Sequence, residues 1–107
     1  MAKFLLAASY TAEGAQGVAS EGGTSRREAV EQAIGRLGGN VEAFYFAFGD
    51  NDVFVIADLP DNVAAASFSL AVNTTGALRG KVLAVLLTPE EIDEAAQNVG
   101  GYRPPGG

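Results

Sequence analysis

The sequence has no cysteine and no histidine among its 107 residues. Without cysteine, neither disulfide bonds nor thiolate chemistry is available, which fits a reducing compartment and leads us to expect a cytoplasmic protein. Without histidine, the commonest general base and the commonest ligand of transition metals are missing. Nucleophilic triads and axial ligation of haem by histidine are therefore excluded, and we expect neither a metal nor a cofactor.

Positive charge is also scarce. Seven Lys and Arg stand against 13 Asp and Glu, and the resulting net charge of −6 disfavours nucleic acid and anionic membranes as partners. No segment approaches the roughly 20 apolar residues that span a bilayer. The apolar run at residues 4–8 is shorter than the roughly 7–15 residues of a secretion signal, so we interpret it as part of a strand.

Hydrophobic residues make up 48% of the chain, which suits a compact domain with a modest core. We expect one domain at residues 1–99 and a flexible tail, rich in glycine and proline, at residues 100–107. The centre of that domain predicts two adjacent strands. Phe44, Phe46 and Phe48 occupy every second position, so their rings are expected on one face. A polar turn at residues 49–52 then leads into an apolar strand at residues 53–57.

The remaining elements follow from helix-start signals and apolar runs. Residues 4–10 and 78–87 predict two further strands. A capping box at residues 25–28 predicts the start of a helix that ends at Gly38. Asp61 predicts the cap of a second helix at residues 62–73, so apolar that we expect it to be buried, and residues 88–91 predict a short C-terminal helix.

The segment at residues 11–23 is rich in glycine, and we expect it to form a long flexible loop.

The order of these elements predicts a ferredoxin-like α+β fold, βαββαβ, with a four-stranded antiparallel sheet, two helices on one face and a short C-terminal helix. Both faces of that sheet are apolar. Leaving the uncovered face in water would forgo about 1.5–3 kcal/mol for each large side chain. We therefore expect a homodimer, or a higher homo-oligomer, whose sheets pack face to face. The interface candidates are Phe44, Phe46, Phe48, Phe54 and Ile56.

Short motifs recur in a fixed order along the domain. They are Tyr10-Thr11-x-Glu13-Gly14, Arg26 or Arg27, Gly38-Gly39, Tyr45, Gly49-x-x-Asp52, Leu59-Pro60-Asp61 and Gly76-x-x-Arg79. Together they resemble the GYD-domain family, small proteins related to the dimeric α/β-barrel group, over about residues 4–95. The resemblance implies a ferredoxin-like subunit that oligomerises through its sheet, but no particular activity. Asn51 departs from the family's Gly-Tyr-Asp signature by replacing the tyrosine, and residues 15–23 look unlike the usual family segment.

The same resemblance implies a cleft between sheet and helices, where barrel relatives hold small hydrophobic molecules. The candidate residues for lining it are Tyr10, Glu13, Tyr45, Asp52, Asp58 and Arg79. A tyrosine or carboxylate acts as an acid or base there if burial shifts its pKa. The simpler interpretation, which we favour, makes Tyr45 a core residue, Asp52 a turn residue and Arg79 a surface ion-pair partner.

Three functions stay open. The first is a non-catalytic binding or assembly module whose partner is a second copy of itself. The second is a cofactor-free enzyme acting on a small hydrophobic carbonyl compound through Tyr10, Tyr45, Asp52 and Asp58. The third is docking of the proline-containing tail, at residues 102–105, onto a groove.

Overall fold

The computed structural model describes residues 1–107, except for the side chains of residues 80 and 81. The elements in chain order are β1 (Ala2–Tyr10), α1 (Ala12–Glu21), α2 (Gly23–Arg36), β2 (Asn40–Phe46), β3 (Val53–Leu59), α3 (Asn62–Asn73), β4 (Leu78–Leu86) and α4 (Pro89–Ala96). The strands form a four-stranded antiparallel sheet in the order β2-β3-β1-β4. This architecture confirms the predicted ferredoxin-like α+β fold.

One face of the sheet, which we call the covered face, packs against α2 and α3. In β3, Val53, Val55, Ala57 and Leu59 are buried, whereas the three residues between them are only half-buried. Such alternation with a period of two is expected when only one side of a strand is covered. The core side chains of this face and its helices are Phe4, Leu6, Ala8, Ile34, Val53, Val55, Ala57, Leu59, Ala64, Ala65 and Phe68.

Helix α1 replaces the flexible loop expected at residues 11–23, so that expectation was wrong. The hydroxyl of Thr11 accepts a hydrogen bond from the backbone N–H of Gly14 at 3.1 Å and so caps the first turn. Gly14 has low helix propensity, but this position has no room for a side chain. A Cβ at this position would lie 2.1 Å from the carbonyl oxygen of Ala77. The glycine that obscured the helix thus lets α1 pack closely on the segment before β4.

Helix α2 begins earlier than its predicted capping box. Gly22 is the N-cap residue and makes no side-chain hydrogen bond, while Ser25 lies inside the helix. The predicted C-terminal end is confirmed: Gly38 has φ +86°, and the N–H of Gly39 donates to the carbonyl of Ile34 at 3.0 Å. This left-handed ending turns the chain directly into β2.

Helices α3 and α4 begin at the predicted caps. The Asp61 carboxylate accepts from the N–H of Ala64 at 2.8 Å, and Thr88 and Glu91 form the reciprocal capping box. The expectation of a fully buried α3 was wrong, however, because Leu70 on its outer side is 66% exposed. Among the described residues, no helix has the length and apolar character needed to cross a membrane.

Strand β2 ends two residues before the predicted end, and its aromatic residues do not all share one environment. Phe44 and Phe46 lie on the covered face, since Phe44 pairs with the buried Val55 and Phe46 with the buried Val53. Their rings meet edge to face with centroids 5.3 Å apart. Phe48 lies in the following turn and is fully exposed. The expectation that all three rings share one face of a strand was therefore wrong.

Candidate functional site

The opposite side of the sheet, which we call the open face, carries an apolar band across all strands. Strand pairing places Ala7 and Tyr45 beside Phe54, and Leu5 and Ala43 beside Ile56. On the other edge, Ala84 pairs with Leu5 and Val82 with Ala7. The band is defined by Leu5, Ala7, Ala43, Tyr45, Phe54, Ile56, Val82 and Ala84.

Exposure within this band rises toward its edges. Phe54 and Ile56 are half-buried by their neighbours, whereas Tyr45 is 70% and Val82 49% exposed. Helix α4 does not cover the band, because every residue from 87 to 107 is exposed. An apolar surface that crosses a whole sheet is typical of an interaction site.

One end of the open face is polar. Lys3 donates to the carboxylates of Glu42 at 2.9 Å and Asp58 at 3.0 Å. These hydrogen bonds raise the pKa of the Lys3 ammonium group above its ordinary value, Glu42 contributing most. The predicted site residue Asp58 is thus engaged in a surface ion pair, on the side of the sheet away from the helices.

A cleft opens on the covered side, between the sheet and the helices, and we call it the inner cleft. Its volume is ≈ 100 Å³. Residues of all four strands, of α2 and α3 and of the segment before β4 line it. The apolar lining residues are Leu6, Ala8, Val30, Phe44, Val53, Val55, Phe68, Val72, Ala77 and Leu78.

A second cavity of ≈ 310 Å³, the outer pocket, adjoins the inner cleft and shares Tyr10, Arg26, Thr75 and Ala77 with it. Helix α1 forms its remaining wall, which carries Glu13 and Glu21. The inner cleft is therefore apolar and the outer pocket is polar, with Tyr10 and Arg26 at their junction.

The backbone of Tyr10 is held from both sides by predicted site residues. Its N–H donates to the carboxylate of Asp52 at 2.9 Å, and its carbonyl accepts from Nε of Arg79 at 3.3 Å. The N–H of Asp52 in turn donates to the carbonyl of Ala8 at 2.8 Å. Asp52 and Arg79 thus fix the end of β1 and position the Tyr10 ring between the two cavities.

The Tyr10 hydroxyl is protonated at neutral pH. Burial raises the pKa of this phenol, and the charges of Asp52 and Glu21 act in the same direction, whereas the hydrogen-bonded Arg26 opposes them. With a pKa above the ordinary 10.0, the group is a hydrogen-bond donor or acceptor and not a base near pH 7.

The model of one protein family, the GYD domain, matches residues 4–96. The chain belongs to the GYD domain family. The comparison with curated proteins gives no match. The matched range includes all helices and strands except the first two residues of β1, so the cleft and the apolar band of the open face are both parts of the GYD domain.

The predicted site residues of this GYD domain separate into two groups. Tyr10, Glu13, Asp52 and Arg79 come together at the end of β1, but only Tyr10 and Glu13 line a cavity. Tyr45 and Asp58 lie on the open face, the side away from the cleft.

Sequence reasoning missed the central position of Arg26, which lines both cavities of the GYD domain. The motif series left Arg26 and Arg27 as alternatives, and only the true start of α2 distinguishes them. Phe68 and Val72, which line the inner cleft from α3, follow the apolar pattern of that helix and carry no separate signal.

Proposed function

We propose that this GYD-domain protein is a homo-oligomeric binding or assembly module, in which the open face packs against the open face of a second copy. The observation that supports this most strongly is the apolar band that crosses β2, β3, β1 and β4. Large side chains such as Phe54 and Ile56 lie there, on the side away from α2 and α3, and remain partly exposed. Packing two such bands together removes apolar area from water on both copies.

The pattern of charge supports the same arrangement. The polar group of Lys3, Glu42 and Asp58 lies at one end of the open face, beyond the apolar band. In an interface with an apolar centre and a polar rim, such a cluster belongs to the rim. Strand β4 also exposes Leu83 and Val85 on its other side, so the edge of the sheet offers further area to an assembly.

Light scattering after size-exclusion chromatography tests this proposal. We expect a dimer or a higher oligomer at micromolar protein concentration and a monomer for Ile56→Asp, because a charge in the band prevents its burial. Val63→Asp is the matched control, since Val63 is 73% exposed on α3, away from the sheet. A wild-type chain that is monomeric at this concentration, or an Ile56→Asp variant that remains oligomeric, contradicts the proposal.

A second candidate function is that of a cofactor-free enzyme acting on a small hydrophobic carbonyl compound in the inner cleft. The specific support is Tyr10, whose protonated hydroxyl adjoins the cleft and is suited to donate a hydrogen bond to a carbonyl oxygen. The other residues considered for this role contribute less. Tyr45 and Asp58 lie on the open face, and Asp52 holds the Tyr10 backbone.

Exchange of α-hydrogens for deuterium in an aromatic ketone, followed by NMR in D₂O, tests this second function. If the Tyr10 hydroxyl donates a hydrogen bond to the carbonyl oxygen, it stabilises the enolate that forms when a water molecule or a buffer base removes the α-hydrogen. We then expect exchange above the buffer rate and a loss of about 10²-fold in Tyr10→Phe. Exchange at the buffer rate in the wild-type protein, or equal exchange in both proteins, would count against the enzyme.

A further inference from the structure

The inner cleft and the outer pocket have different linings, and this difference indicates which kind of ligand would fit both. The inner cleft is lined mainly by apolar side chains, while the outer pocket carries Glu13, Glu21 and Arg26. A molecule that fills both must have an apolar body and a polar head. The bond that joins these two parts lies beside Tyr10 and Arg26, where the cavities meet. This site lies on the covered side of the sheet, so it is independent of the proposed association through the open face.

The size of the inner cleft limits the apolar body. Its volume is ≈ 100 Å³, while an apolar cavity of about 150 Å³ holds one benzene molecule. The cleft is open to the outer pocket, so an aromatic ring can extend past the junction instead of lying wholly inside the cleft. One aromatic ring or a short branched alkyl group is therefore the largest body that the cleft accepts. Larger ring systems exceed it.

The charges of the outer pocket determine the polar head. The guanidinium of Arg26 lies 3.6 Å from the carboxylate of Glu21, so these two charges compensate each other. Glu13 forms no ion pair with any described side chain. Two carboxylates against one guanidinium leave the pocket negative, and the protein as a whole carries −6. Such a pocket favours a cationic head and disfavours an anionic one.

We propose that the paired cavities bind small apolar primary amines. The ring or alkyl group occupies the inner cleft, and the ammonium group lies in the outer pocket near Glu13. Arylalkylamines with one ring are the ligand class that fits both compartments.

Titration by NMR or calorimetry with three matched probes tests the proposal. The probes are 2-phenylethylamine, 2-phenylethanol and 3-phenylpropionate, which share the ring but differ in the charge of the head. We expect the amine to bind about fivefold more tightly than the alcohol, because one partly exposed ion pair adds this much, and the carboxylate to bind most weakly. Equal affinities for amine and alcohol, the tightest binding by the carboxylate, or no binding of any probe would overturn the proposal.

Two pairs of variants locate the site. Glu13→Gln is expected to abolish the preference for amine over alcohol, whereas Glu31→Gln, an exposed carboxylate on α2 outside both cavities, leaves it unchanged. Val72→Phe fills the inner cleft and is expected to weaken all binding by at least about tenfold. Leu70→Phe places the same ring on the exposed side of α3 as its control. An unchanged preference in Glu13→Gln, or unchanged binding in Val72→Phe, contradicts the assignment.

Discussion

The covered face and the open face of the sheet have similar compositions but different environments. In β3, Val55 on the covered face is 5% exposed, while its neighbour Ile56 on the open face is half-buried although its side chain is larger. The difference comes from helices α2 and α3, which pack on the covered face. Apolar character alone therefore does not tell which residues form the core of this domain and which stay accessible on the open face.

The largest expected loss of stability comes from a charge on the covered face of β3. The same charge on the open face is the comparison. Val55→Asp buries an unpaired carboxylate in the core, which costs more than about 4 kcal/mol and removes most of the stability of a small domain. We expect no cooperative unfolding transition for this variant in urea, followed by circular dichroism. Ile56→Asp is expected to keep a cooperative transition, since its carboxylate remains accessible to water. If Ile56→Asp unfolds as completely as Val55→Asp, the two faces are equally closed and the contrast between them is wrong.

The same contrast explains which parts of the fold the sequence predicts. The order and type of the strands follow from their apolar runs, and the caps of α3 and α4 follow from Asp61 and Thr88, because these signals are local. The face occupied by Phe44 does not follow, since both sides of β2 and β3 are apolar and alternation cannot say where the helices lie. Only tertiary packing decides that.

The candidate site also has one part that the sequence predicts and one part that it does not. Topology alone brings Tyr10, Asp52 and Arg79 to one end of the sheet, because each lies at or next to the end of a neighbouring strand. The outer pocket required α1, and α1 was missed because Gly14 has low intrinsic helix propensity. Its helical conformation depends on the Thr11 cap and on close packing against Ala77, neither of which is visible in a propensity pattern.

A smaller effect concerns pH and the two phenols on opposite sides of the sheet. Because the pKa of Tyr10 is raised above 10.0, the folded protein retains this proton at pH values where the unfolded chain begins to lose it. Its contribution to stability is complete below about pH 10 and is lost as the pH rises through the folded-state pKa. We expect Tyr10→Phe to reduce the loss of stability between about pH 9 and pH 11, measured by urea unfolding.

A control variant and a second titrating group must be considered when the alkaline loss of stability is assigned to Tyr10. Tyr45→Phe removes the exposed phenol of the open face and serves as the matched control. Lys3, whose pKa is also raised, chiefly by its hydrogen bond to Glu42, adds a loss of the same sign at alkaline pH in both variants. An alkaline loss in Tyr10→Phe equal to that of the wild-type protein would show that burial of Tyr10 has no thermodynamic consequence.

The smallest expected change in stability comes from removing a helix cap. The comparison is between the cap of α3, which packs on the sheet, and the cap of α4, which is exposed. Asp61 caps α3, which supplies Phe68 to the core, and Asp61→Ala is expected to cost about 1 kcal/mol of unfolding free energy. Thr88 caps α4 with equally good geometry, accepting from the N–H of Glu91 at 3.1 Å. Yet α4 is exposed along its whole length, and an isolated helix this short is marginal in water. We expect Thr88→Ala, made in the Ile56→Asp background so that the chain is monomeric, to leave the urea midpoint unchanged. A loss of unfolding free energy comparable to that of Asp61→Ala would show instead that α4 is packed against the domain.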